Sequence, residues 1–143
     1  MSDMNQHNLE IFSQSLRRVT VSADFYDCFY DKFISRSDEI PAFFKNRDMA
    51  QLKKKLKDTL FMLAESAEGG PGVKLYIEML GRIHKRLNVQ RRHFTIWEEA
   101  LLEAVKTYDD EFDDKVLAAW LDVIDNVIER MFAALDEARM IAS

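Results

Sequence analysis

The chain reads as an all-α domain, and three observations carry that reading. Apolar residues recur at three- and four-residue steps along nearly the whole length, while the period-two alternation of half-buried strands is absent. Glycine and proline number only four and two, and Gly69, Gly70, Pro71 and Gly72 crowd into one segment. Chain breakers thus punctuate a single place, and both of its flanks read as helix. Finally, 143 residues with 48 % apolar and 31 % charged composition are enough for one core. One domain over residues 1–143 is expected, without repeats or internal linkers.

The elements follow in order. Leu9, Phe12, Leu16 and Val19 stripe a first helix, with Asn8 as its expected cap. A second helix follows Ser22 and aligns Phe25, Phe29 and Phe33, with Tyr26 and Tyr30 beside them. Ser37 caps a short turn over 38–44 that Pro41 keeps tight. Asp48 starts a third long helix through Met49, Leu52, Leu56, Leu60 and Leu63. Beyond the Gly/Pro segment, Leu75, Tyr76, Met79, Leu80, Ile83 and His84 share an apolar stripe, and Leu87-Asn88-Val89 leaves helical geometry. Phe94, Trp97, Leu101, Ala104, Val105 and Tyr108 stripe the next helix. The last spans about 113–140, with Val116, Trp120, Val123, Ile124, Val127, Met131 and Leu135 inward. The sum is six long helices plus a short turn helix.

Composition narrows the function. A net charge of −5 argues against general nucleic-acid binding, which wants a basic face. No apolar stretch approaches the ~20 residues of a membrane span. The polar start from Met1 to His7 does not read as a signal peptide. The lone Cys28 leaves no internal disulfide, so a cytoplasmic setting is expected.

Chemistry centres on one histidine. His7 lies in a terminus and is read as solvated; His93, beside Arg91 and Arg92, is read as the surface start of a helix. His84 alone has an apolar setting, where an imidazole needs a partner. That partner is either a backbone carbonyl or a metal. Leu80 and Asn88 occupy the i±4 positions, so this helix offers no second zinc ligand. One imidazole does suffice as the axial ligand of haem, whose macrocycle supplies four nitrogens. Such a pocket needs flat apolar walls, and Phe29, Phe33, Phe43 and Phe44 can furnish them alongside ordinary core packing. The phenol of Tyr30 also needs a hydrogen-bond partner, a role open to a diatomic ligand.

Several segments, in order and spacing, resemble bacterial globins of the single-domain, sensor and flavohaemoglobin-like branch. Phe29 through Ile34, then Glu39-Ile40 to Phe44, is similar to that branch's second helix and haem-contacting turn. His84, Leu87, Val89 and Phe94 resemble its proximal stretch, and Trp97 to Leu102 with Ala119-Trp120 resemble its last helices. The resemblance implies haem b (iron protoporphyrin IX) with His84 as the iron ligand and Tyr30 as the distal donor. It implies Leu52 and Leu56 over the ligand, with Leu52 preferred to Gln51 because it continues the inward stripe. Phe33, Phe43, Phe44, Leu80, Leu87, Val89, Phe94 and Trp97 would contact the macrocycle. Lys55 would pair with a propionate, an exposed contact contributing at most ~1 kcal/mol. Arg82, Lys85, Arg86, Arg91 and Arg92 would serve likewise.

Departures from the branch shape the expected activity. Flavohaemoglobins place a tyrosine and a glutamate against the proximal histidine; the corresponding residues here read as Phe94 and Leu135. His84 is therefore expected to bond only a backbone carbonyl, which disfavours a strongly electron-pushing, peroxidase-like iron. No flavin or nicotinamide domain is expected, so turnover is expected to need a separate reductase. The leading expectation is reversible binding of a diatomic gas (O2, NO or CO, with O2 foremost) for storage or sensing. The alternatives are a nitric oxide dioxygenase or peroxidase-type enzyme, and a haem-free signalling module. A homodimer through the last helix, using Phe132, Met140 and Ile141, is a further expectation. The lysine run Lys53, Lys54, Lys55 and Lys57 reads as a solvated face, and Cys28 as buried and inert. Asp109, Asp110, Glu111, Asp113 and Asp114 read as a solvated loop and helix start without calcium-loop spacing.

Overall fold

The computed structural model describes residues 6–65 and 71–142. Their order is α1 (Gln6–Thr20), α2 (Asp24–Ser35), α3 (Ile40–Phe43), α4 (Met49–Glu65), α5 (Pro71–Arg86), α6 (Arg91–Tyr108) and α7 (Asp114–Ala142). The described residues include no strand, as the three- and four-residue periodicity requires. None of their helices is long and apolar enough to cross a membrane.

Local chemistry explains most boundaries. The Ser22 hydroxyl accepts the Asp24 amide at 3.2 Å just before α2, and Ser37 accepts the Glu39 amide at 3.2 Å before α3. Asp48 accepts the Ala50 amide at 2.9 Å and starts α4. Gly69 and Gly70 lie outside the described residues; Pro71 opens α5, where a missing N–H costs nothing. Asn88 takes φ 60°, a left-handed conformation that asparagine tolerates, and turns the chain between α5 and α6. The expected cap Asn8 instead lies inside α1, where its amide donates to Asp122 of α7 at 3.1 Å.

Packing follows the apolar stripes. α1 and α5 lie against α7, α2 lies against α6, and α4 leans on α1. Fully buried Trp120 anchors the core, meeting Phe12 edge-on at 4.6 Å. Gly81 lets α5 approach α7 closely; a Cβ there would meet the Met131 carbonyl oxygen at 3.3 Å.

A polar strut crosses this core. Trp120 Nε1 donates to Ser15 Oγ at 2.9 Å, and Ser15 Oγ donates to Asp109 Oδ2 at 2.6 Å. Arg18 donates to the same carboxylate through Nε at 2.6 Å and Nη2 at 2.9 Å, and the Glu111 amide adds a bond at 2.9 Å. Asp109 is therefore 2 % exposed, not part of a solvated acidic loop as its neighbours suggest. Burial alone would raise its pKa, but Arg18, Ser15 and the Glu111 amide together hold it below the ordinary value. Five hydrogen bonds converge on or through one carboxylate, so losing it strands several donors at once.

A second carboxyl behaves oppositely. Glu98 of α6 has a buried, unpartnered Oε2. Burial first, then hydrogen bonding to and repulsion from Asp125 of α7, push its pKa up to about 8. The folded pKa thus exceeds the ordinary 4.5, and the folded chain holds a proton that the unfolded chain releases between those values. Stability accordingly falls as pH rises through that window.

Two outcomes follow from these carboxyls. Asp109→Ala lowers the unfolding free energy by about 2–3 kcal/mol in urea titration, because Ser15 and Arg18 lose their acceptor. Glu98→Gln raises Tm by about 2–4 °C at pH 9, for a screened penalty of about 1 kcal/mol. At pH 4 that gain disappears, as thermal scans at both pH values would show.

Candidate functional site

Tyr26 and Tyr30 stand one turn apart on α2, and Tyr30 reaches α4. Its hydroxyl donates to the Leu52 carbonyl at 3.0 Å. The ring is buried, and burial pushes the phenol pKa up to about 12, so it stays a neutral O–H donor. Leu52 is half-buried against the core while Gln51 is exposed, which places Leu52 on the inner face of α4. Leu56, one turn on, is buried.

Aromatic rings enclose this corner. Tyr30 meets Phe44 edge-on at 5.9 Å, and Phe33 meets Phe44 at 5.6 Å. Phe29 contacts Tyr30 at 4.8 Å and Trp97 at 6.0 Å. Phe43 turns instead to His93, at 5.0 Å.

His93 is one residue whose setting the sequence reading missed. It is 4 % exposed, not a surface residue. Its Nδ1 accepts the Gln90 amide at 2.9 Å, so its Nε2–H donates to Glu39 at 2.8 Å. Arg92 grips the same carboxylate through Nε at 3.1 Å and Nη2 at 2.8 Å. Arg92 first, then His93, hold the Glu39 pKa at about 2. The clamp fastens the start of α3 to the start of α6. The Gln90–His93 spacing of a capping box was the available signal.

On α5, His84 Nδ1 lies 2.6 Å from the Leu80 carbonyl. A carbonyl can only accept, so Nδ1 carries the proton and Nε2 presents its lone pair. No partner for Nε2 is found among the described residues. Burial lowers the ring's pKa, against a smaller opposing effect from the Leu80 bond, which favours the neutral form. Phe94 backs the ring at 5.2 Å and in turn meets Phe132 at 5.6 Å. Phe132 is half-buried, with the Arg91 guanidinium 4.0 Å from its centroid. The Met140 and Ile141 side chains lie outside what is described.

The apolar stripe of α5 departs from expectation. Leu80 and Tyr76 are half-buried, but Leu75 is 64 % exposed, Met79 40 %, Ile83 38 % and Leu87 40 %. Thr59 of α4 and Tyr76 of α5 share a hydrogen bond at 3.1 Å near the segment that links the two helices. Away from that bridge, α4 carries Leu52 and Leu56, α5 carries Ile83 and His84, and Leu87 follows in the turn after α5. Val89 and Trp97 are half-buried, and Lys55 is exposed without an ion pair among the described residues. The structure thus gathers Tyr30, Phe33, Phe44 and Leu52 on one side, and Leu80, His84 and Phe94 on the other.

Residues 28–131 match the sequence profile of the family described as Globin. The chain belongs to the globin family. The match takes in Tyr30, Leu52, His84 and Phe94 and ends at Met131 of α7. This globin also resembles PA3967 of Pseudomonas aeruginosa PAO1, whose crystal structure is described as structurally highly homologous to a human haemoglobin. The two share 30 % identity with a TM-score of 0.82, covering 89 % of this chain and 97 % of that one. No curated protein matches the sequence.

Proposed function

We propose that this globin binds haem b through His84 and reversibly holds a diatomic gas, O2 foremost, on the side of Tyr30. The observation that carries the reading is the imidazole of His84, anchored by Nδ1 with Nε2 unpartnered. The residues present fit a macrocycle. No three His, Cys, Asp or Glu side chains come together among the described residues to make an all-protein metal cage. The uncovered apolar side chains of Met79 and Ile83 on α5, and of Leu87 just after it, also suit a flat hydrophobic guest.

When bound, haem would supply an iron that His84 holds and at which a diatomic gas could bind. The chain's own residues do the rest. Leu80 fixes the tautomer and orientation of His84, and burial keeps the ring neutral enough to ligate. Phe94 packs against the imidazole without a polar atom, so Leu80 supplies its only hydrogen bond among the described residues. That favours reversible binding over peroxidase-type turnover. Leu52 and Leu56 line the distal side with hydrocarbon and exclude water. Tyr30 is the donor there; its O–H must leave the Leu52 carbonyl to reach a guest. Phe33, Phe43, Phe44, Leu80, Leu87, Val89 and Trp97 would serve as walls, and exposed Lys55 as a propionate partner. Storage or sensing in a cytoplasmic setting, within the single-domain and sensor branch, is the role this supports. Dioxygenase activity towards nitric oxide would draw on a separate reductase.

Haem titration of purified protein tests the reading directly. The native chain develops a Soret band at one equivalent and shifts it under carbon monoxide, whereas His84→Ala does neither. No Soret band from the native chain would establish a haem-free module instead. Tyr30→Phe speeds oxygen release by about tenfold to a hundredfold, the worth of one charge-assisted donor. Stopped-flow dissociation that leaves the rate unchanged removes Tyr30 from the distal role.

A further inference from the structure

The seam between α6 and α7 is thin. α6 touches α7 along a much shorter stretch than it touches α2, so few contacts hold the two helices together. Three rungs cross it. Arg91 pairs with Glu129 at 2.8 Å and lies over the Phe132 ring at 4.0 Å. Phe94 meets Phe132 edge-on at 5.6 Å. Glu98, one helical turn beyond Phe94, faces Asp125. The first two rungs attract, whereas the third sets carboxyl against carboxyl.

Nothing answers the charge of that third rung. Glu98 Oε2 is buried without a hydrogen-bond partner. Besides Asp125, the group that bears on it is Glu99, a third acid. The cations of the helices packed on α6 are spent elsewhere. Arg91 holds Glu129, Arg36 of α2 holds Glu99 and Glu103, Lys32 of α2 also reaches Glu103, and Arg18 of α1 holds Asp109. Asp122 of α7 accepts from Asn8 of α1. Two carboxyls so placed stay together only while one of them keeps a proton. Burial first, then Asp125, lets Glu98 keep it up to about pH 8. The other rungs resist weakly once it is gone. Both members of the Arg91–Glu129 pair are exposed, and ring packing is non-directional.

We propose that Glu98 and Asp125 form a proton latch: sharing one proton they close the α6–α7 seam, and release of that proton to solvent parts Phe94 from Phe132 behind His84. Phe94 moves because it stands one turn from the repelling pair and itself backs the imidazole at 5.2 Å. The latch needs no haem. Only its consequence for a ligated His84, a gas-release rate that changes across the same pH window, rests on the haem reading.

Nuclear Overhauser contacts between ring protons, measured on the full chain at pH 6.5 and pH 9, test this in the folded state. Any haem carried by the protein is kept ferrous and bound to carbon monoxide, which is diamagnetic. The Phe94–Phe132 cross-peaks are present at pH 6.5 and lost at pH 9, while those of Phe12 with Trp120 persist at both. Glu98→Gln and Asp125→Asn each keep the Phe94–Phe132 cross-peaks at pH 9, because neither leaves two charges on the rung. Asp125 is exposed, so its variant carries the test even if Glu98→Gln fails to fold. Cross-peaks that survive pH 9 in the native chain overturn the latch. So does their loss in Asp125→Asn, which would assign the opening to burial of Glu98 alone. Loss of the Phe12–Trp120 cross-peaks in step would report general loosening and overturn it too. A latch that opens in a chain that never takes up haem refutes the proposed function and leaves this inference standing.

Discussion

An imidazole on a helix keeps one nitrogen for chemistry only when the other is firmly engaged, and in this globin the Leu80 carbonyl engages it. The bond spans one helical turn, so any movement of α5 carries donor and acceptor together. The ring therefore keeps its tautomer while its position is set elsewhere, by the seating of α5 on α7. Everything that bears on that seating bears on Nε2. The core built around Trp120 and Phe12 fixes α7 against α1, and α7 in turn supports α5.

The two walls beside this histidine are held by different forces. The Tyr30 corner is a nest of ring contacts locked to α4 by a single phenolic hydrogen bond. The turn beneath it is tied electrostatically, with Glu39 bridging α3 to Arg92 and His93 at the start of α6. Ring packing is non-directional and tolerant, whereas the Glu39 clamp fixes distance and angle. The clamp thus sets where Phe43 and Phe44 stand relative to Phe94.

Much of this was legible in the chain. The helix periodicity, the Ser22, Ser37 and Asp48 starts and the break at Asn88 are local signals, and each appears where the sequence puts it. The inward choice of Leu52 over Gln51 followed from the stripe of Leu56, Leu60 and Leu63. What failed depended on distant partners. Asp109 looks like one more loop acid until Ser15 and Arg18 arrive from α1. His93 looks solvated until Glu39 closes over it. The α5 stripe looks like core because Leu75, Met79 and Ile83 share a flank with His84. Yet periodicity shows that a face is apolar without showing what lies against it. Asn8 followed capping statistics, but α1 begins earlier and its amide found Asp122 instead.

Gly81 closes the account of how His84 is carried. The residue sits three places before the imidazole, where the backbone of α5 rests almost directly on the Met131 carbonyl. Adding a single methyl would press on that carbonyl, and the two helices would have to give by a few tenths of an ångström. The height at which the histidine stands over the bundle is thus governed by a side chain that is missing, and small residues elsewhere on α5 could not substitute for it.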